Sequence, residues 1–241
     1  MTVNWTNADL ALLPSGRPQP RTPEEADAVL RPRANEIMLP MTGVTEAIIV
    51  SSSGSLIGDA FVRLLSETAG NRFPIILVTT VPFRFEEGLR SAGIARIASY
   101  PELADRVFVM DLQYSGHGEK VIGEAMQAVS AYIASVAEII ADLVGTIPFR
   151  STFSEKVYTF SRANGKDLTE SVDYAVQNPC YDTAGMSDGA FVILTGNDDS
   201  QHGKLSSYVA GRYGSIPEII KGRGNETGAL VFIPVSLNVL H

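Results

Sequence analysis

Residues Ile48 to Phe61 read IIVSSSGSLIGDAF. The β-branched run Ile48-Ile49-Val50 suits a buried strand, and Asp59-Ala60-Phe61-Val62 opens a helical pattern. Between them lies a loop of small residues, Ser51-Ser52-Ser53-Gly54-Ser55-Leu56-Ile57-Gly58. Where such a loop joins a strand to a helix N-terminus, the first helical N–H groups and the helix dipole both favour an anion. Glycine in the loop lets the backbone approach a phosphate closely. The chemistry within reach is nucleotide phosphate binding, with Ser52, Ser53, Gly54, Ser55 and Gly58 as the candidate residues.

The remaining reactive side chains form no comparable group. The three histidines, His117, His202 and His241, have no second histidine or cysteine at ligand spacing, so no metal site is expected. His117 and His202 sit in glycine-flanked turns and read as exposed bystanders. Cys180 follows Pro179 at a helix end and reads as a packing residue rather than a nucleophile. The acid pairs Glu86-Glu87 and Asp198-Asp199 are of the kind common on solvated loops. No catalytic residue is assigned.

The elements that must position the loop can be read from the apolar pattern. Strands are expected at 47–50, 74–80 and 106–110, with helices at 59–69 and 86–99 between them. Strand, helix, strand at this spacing implies parallel βαβ units. Residues 14–40 carry six prolines and read as a loop-rich lead-in with one short helix. That helix is announced by Thr22-Pro23-Glu24-Glu25: an N-cap, a first-turn proline and two acids. An apolar stripe from Val121 through Ile133 and Ile140 to Val144 predicts a long helix packed on several sides. Beyond it come a strand at 157–161 and a helix at 167–177 capped by Asp167 or Thr169. A strand at 190–195, a helix at 201–213, a strand or turn at 216–220 and a strand at 229–235 complete the chain. The expected fold class is α/β. An incomplete Rossmann-like parallel sheet domain spans 1–118, a central joining helix 119–145, and a smaller α/β domain 146–241.

Composition limits the partners. The chain has 241 residues, 45% hydrophobic and 19% charged, the profile of an ordinary globular protein. A net charge of -8 argues against nucleic acid. The single cysteine suits a reducing cytoplasm. The start MTVNWTNADLALLPSG shows no secretory pattern. The apolar stretch 121–144 carries Glu124, Glu138 and Asp142, so no transmembrane segment is expected there.

The stretch Val78-Thr79-Thr80-Val81-Pro82-Phe83-Arg84-Phe85-Glu86, followed by Gly88 and Arg90, resembles the FtsZ branch of the tubulin superfamily. In that family a buried strand runs through threonine into P-F-x-F-E-G and then a basic residue. Ile48 to Phe61 falls where the family has its phosphate loop, GGGTG[ST]G. Trp5-Thr6-Asn7 through Leu12 resembles its N-T-D stretch, and Arg21-Thr22-Pro23-Glu24 its N-P-E stretch. The long joining helix and the strands ending the chain stand in the family's order. The resemblance implies a tubulin/FtsZ-like fold over nearly the whole chain, and guanine nucleotide as the family's cofactor.

Departures from the pattern imply a degenerate GTPase. The family's first strand, first phosphate loop and first helix have no counterpart here. Its loop glycines fall on Ser52, Ser53 and Gly54, its threonine on Ser55, and its next two residues on Leu56 and Ile57 before Gly58. Branched apolar groups there are expected to face the phosphate site and block it. The guanine-contacting positions fall near Ala125, Met126 and Ser130, without an aspartate. The stretch Thr146 to Glu155 lacks the aspartates of the family's N-x-D-x-x-D loop, and the helix after it is missing.

The expectation is therefore a pseudo-GTPase with no bound cofactor, acting in the cytoplasm as a cytoskeletal, division-related or membrane-remodelling scaffold or regulator. Its partner would be a protein, either a second copy or a full-length relative. The alternative is a GTP-binding protein or GTPase that uses a divergent pocket or borrows the missing strand. A third reading is an unrelated α/β enzyme, such as a sugar- or nucleotide-modifying one, with an accidental P-F-x-F-E. Without the first strand, the strand beside it would be left at an open edge, which residues 14–40 or a second copy could cover.

Overall fold

A computed structural model describes residues 18–41, 43–70, 72–115, 127–128, 130–135, 137–138, 140, 156–181, 183, 186–187, 189–196, 202–214, 217–222 and 227–235. Seven strands form one mixed sheet: β1 (Ala47–Ser52), β2 (Ile75–Val81), β3 (Arg106–Asp111), β4 (Val157–Asn164), β5 (Phe191–Thr195), β6 (Glu218–Lys221) and β7 (Gly228–Pro234). Their order across the sheet is β1-β2-β3-β4-β7-β5-β6. The first four run parallel. Strand β7 is antiparallel to both its neighbours, β4 and β5, and β6 lies parallel to β5. The chain is an α/β fold in which strands from both halves share one sheet.

Helices follow the strands as the pattern predicts. Helix α1 (Pro23–Leu30) starts where the Thr22 hydroxyl accepts from the Glu25 N–H, with Pro23 in its first turn. The lead-in then continues through a 3-10 turn, a short α2 (Ala34–Met38) and a second 3-10 turn over Leu39–Met41. It is more helical than its prolines suggest, because Pro32 sits in a first turn where no N–H is required. Helix α3 (Leu56–Ala69) follows β1, and α4 (Glu87–Leu103) follows β2. A short α5 (Leu112–Ser115) leaves β3. Helix α6 (Leu168–Gln177) is capped by Asp167, whose carboxylate accepts from the Glu170 N–H, and α7 is His202–Tyr213.

The period-2 alternation of the strands sorts their apolar side chains onto two faces. On one face, Ile76, Val78, Phe108, Phe160, Phe191 and Phe232 form a cluster running through both halves. The joining helix packs on it: residues 127–140 are helical where described, and Ile133 and Ile140 are buried in that cluster. Tyr132 stacks on Phe160 at 5.9 Å, and its hydroxyl accepts from the Arg162 N–H at 2.7 Å. Residues 119–126 and 141–145 of that expected helix lie outside the described residues. The opposite face divides into two clusters. Helices α3 and α4 cover the β1–β3 side through Val62, Leu65, Ile97 and Tyr100, and α6 and α7 cover β5 and β7 through Val172, Ala175, Leu205 and Val209.

Candidate functional site

Parallel strands β1, β2 and β3 end at the same rim of the sheet, where open α/β sheets place ligands. Two strand-to-helix corners stand there side by side. The first is Ser53-Gly54-Ser55, between β1 and α3. The second is Pro82 to Glu86, between β2 and α4.

The serine corner is shorter than the sequence suggests. Helix α3 begins at Leu56 rather than Asp59, because the Ser55 hydroxyl accepts from the Gly58 N–H at 3.1 Å and caps the helix three residues earlier. Leu56 and Ile57 are therefore first-turn helical residues and do not line the mouth of a loop. Ile57 is only 9% exposed and packs with Ala26, Leu30, Ile37, Ala60 and Leu64, with Leu56 against the same cluster. The expectation that both side chains face the phosphate site is corrected: they anchor α3 to the lead-in helices.

What the corner does with its backbone donors follows from its hydrogen bonds. The Ser53 N–H and hydroxyl both donate to the Thr80 carbonyl, at 3.0 and 2.9 Å. The Gly54 N–H donates to the Ser52 hydroxyl at 3.3 Å and the Ser55 N–H to the Ser52 carbonyl at 3.0 Å. The Gly58 and Asp59 N–H groups go to the Ser55 hydroxyl and carbonyl. From Ser53 to Asp59, only the Leu56 and Ile57 N–H groups have no partner among the described residues. Arg96 of α4 donates to the Ser53 carbonyl at 2.6 Å and ties the corner down from the next helix. A phosphate cradle needs several convergent free donors. This one retains two.

The second corner, which carries the P-F-x-F-E motif, is a tied turn. The Phe83 N–H donates to the Glu86 carboxylate at 3.1 Å, and the Glu86 N–H returns to the Phe83 carbonyl at 3.0 Å. Arg90 donates to the Pro82 carbonyl at 2.7 Å and forks onto Asp111 at the end of β3, at 2.9 and 2.6 Å. The pair is nearly dry, with side chains 15% and 1% exposed. The Asp111 hydrogen bonds hold the Arg90 guanidinium above its usual range. Asp111 also accepts from the Gln113 N–H, and its own N–H donates to the Cys180 carbonyl, which links this rim to the second half of the chain.

The two corners touch. A Cβ on Gly54 would stand 2.9 Å from Pro82 Cγ. One on Gly93 of α4 would stand 2.5 Å from the Ser53 hydroxyl and 3.2 Å from Pro82 Cδ. Glycine at both positions is what lets strand end, turn and helix close onto one another.

The structure thus brings Ser52, Ser53, Gly54, Ser55 and Gly58 together in one corner. Ser130 is an exposed helical residue, whereas Ala125, Met126 and residues 146–155 lie outside the described residues, as do residues 5–12. Cys180 is buried, and burial pushes its thiol up to about 12. His202 opens α7, while His117 and His241 are outside the described residues. Among the described residues no three metal-ligating side chains are gathered, and no helix is long and apolar enough to cross a membrane.

Solved structures with this architecture include the W319Y mutant of FtsZ from M. jannaschii: TM-score 0.72 at 14% identity, over 90% of this chain and 73% of that one. CetZ1 from Haloferax volcanii, GDP-bound, superposes with a TM-score of 0.69 at 14% identity, over 90% of this chain and 76% of its own. CetZ2 from the same organism, a GTPγS-bound protofilament, gives 0.68 at 17% identity, over 87% and 72%. The chain has an FtsZ/tubulin-like fold. No protein-family model and no curated protein matches the sequence. The serine corner lies at the sheet rim beside the 78–90 motif, whose Glu86 and Arg90 tie that rim together. Sequence reasoning missed Asp111 and Arg96. Asp111 follows an apolar strand as a lone acid, which was the available signal.

Proposed function

We propose that this chain is a pseudo-GTPase: an FtsZ/tubulin-like protein that works in the cytoplasm through protein contacts, as a cytoskeletal, division-related or membrane-remodelling scaffold or regulator. The observation that carries this reading is the self-bonded serine corner. Three of the corner's backbone donors, the Gly54, Ser55 and Gly58 N–H groups, are committed to Ser52 and Ser55. Opening them to a ligand exchanges existing bonds for new ones, and the net contribution of each is only about 0.5–1.5 kcal/mol. Ile57 holds the helix start in place from behind, packed with Ala26, Leu30 and Ile37. A protein partner, either a second copy or a full-length relative, is the remaining use for a fold whose solved neighbours include a protofilament.

A second reading, a GTP-binding protein with a divergent pocket, draws support from two facts. The neighbours are described as GDP- and GTPγS-bound, and two N–H groups at the start of α3 remain available. Calorimetric titration with GTP and GDP, with and without magnesium, separates the readings. The pseudo-GTPase reading expects no heat of binding in the micromolar range. A micromolar or tighter dissociation constant overturns it in favour of the second.

A further inference from the structure

The two edges of the sheet are built differently. Strand β6 is short and carries a charge at each end, Glu218 and Lys221, both exposed. That is how natural sheets blunt an edge. Strand β1, at the other edge, has six residues, Ala47-Ile48-Ile49-Val50-Ser51-Ser52, without charge, proline or bulge. The Ala47 and Ser53 N–H groups point inward to the Pro74 and Thr80 carbonyls. By alternation Ile48 and Val50 present their N–H and C=O groups to the open side, and Ser52 its N–H, its carbonyl already accepting from the Ser55 N–H. Among the described residues no strand pairs there, and the described lead-in helices pack on α3 instead. Val50 is 51% exposed at the centre of this edge. Leu89, equally exposed, stands beside the end of the strand, its Cβ 3.8 Å from where a Gly54 Cβ would be.

We propose that β1 pairs antiparallel with β1 of a second copy of this chain about a two-fold axis at Val50, so that two sheets become one. The strand is complementary to itself in that register. Val50 faces Val50, Ile48 faces Ser52, and the nearest acid, Glu46, falls opposite Gly54, so no like charges meet. Each Val50 covers the other's exposed side chain, the outward groups of Val50, the Ile48 C=O and the Ser52 N–H find partners, and the Ser52 carbonyl takes the Ile48 N–H as a second donor. A second copy supplies a strand of matching length whose two-fold register brings no like charges together. This deepens the protein-contact part of the function proposed above and is independent of whether nucleotide binds.

Sedimentation equilibrium of the native chain over a concentration series, beside Val50→Lys and Val50→Cys, tests the pairing. The native chain is expected to dimerise reversibly, and Val50→Lys to be monomeric over the same range with an unchanged thermal melt. In the proposed register the two position-50 Cα atoms are about 5.5 Å apart, within disulfide reach. Mild oxidation should therefore convert Val50→Cys, and not the native chain with its buried Cys180, to a covalent dimer. If Val50→Lys fails to fold, the cysteine variant decides. A monomeric native chain, a dimer that survives Val50→Lys, or a Val50→Cys chain left uncrosslinked overturns the proposal, and none of these outcomes bears on the calorimetry.

Discussion

The serine corner after β1 and the Pro82–Glu86 corner after β2 are neighbours at one sheet rim, yet they direct their polar groups in opposite ways. The serine corner turns inward: its N–H groups and hydroxyls bond to one another and to Thr80. The second corner reaches outward, as Arg90 leaves its own turn to hold Asp111 on the next strand. Apart from the Leu56 and Ile57 N–H groups, the backbone donors of the serine corner are satisfied within the chain. The difference teaches that the corner best matched to a family motif is the one whose polar groups hold the fold together. The better-matched corner is structural, while the one that should meet phosphate has closed on itself.

The comparison predicts a graded set of costs. Arg90→Met leaves the Asp111 carboxylate dry and without its fork, so it should destabilise the fold by about 3–5 kcal/mol. A denaturant melt shifted by less than 1 kcal/mol would show that the outward corner is ornamental. Rebuilding the serine corner toward the family's glycine-rich loop, with Ser52→Gly, Ser53→Gly, Leu56→Gly and Ile57→Thr, should cost about 2–5 kcal/mol through the loss of the Ile57 anchor alone. It should also restore no GTP turnover above a blank. Measurable turnover would mean that the corner's closure was the single defect. Ser55→Ala removes one cap bond and should cost about 1 kcal/mol, visible as a small drop in melting temperature. An effect as large as that of Arg90→Met would place the stability of the rim in the wrong corner.

Much of this architecture was legible in residue order. The β-branched runs at 47–50, 74–80, 106–110, 157–161, 190–195 and 229–235 locate six strands to within three residues at every end, since each is bounded by breakers that end pairing. The caps Thr22 and Asp167 announce their helices. Helix α4 runs on to Leu103, past the expected end at 99, although Pro101 forfeits the backbone bond that a residue in the last turn would donate. Helix α3 starts three residues before the expected Asp59, because Ser55 caps it and Gly58 belongs to its first turn rather than to the loop. The Arg90–Asp111 pair could not be read at all. It depends on the β2–β3 register, which puts Val81 beside Asp111, and no local pattern encodes register between parallel strands.

The most direct test of the account is a proton–nitrogen correlation spectrum followed through a titration with magnesium GDP and then magnesium GTP. The amides to watch are those of Ser53, Gly54, Ser55 and Gly58, whose hydrogen bonds define the closed corner. The account predicts that their positions stay fixed at millimolar nucleotide. Saturable shifts centred on these four amides would show that the corner opens to phosphate and would contradict it.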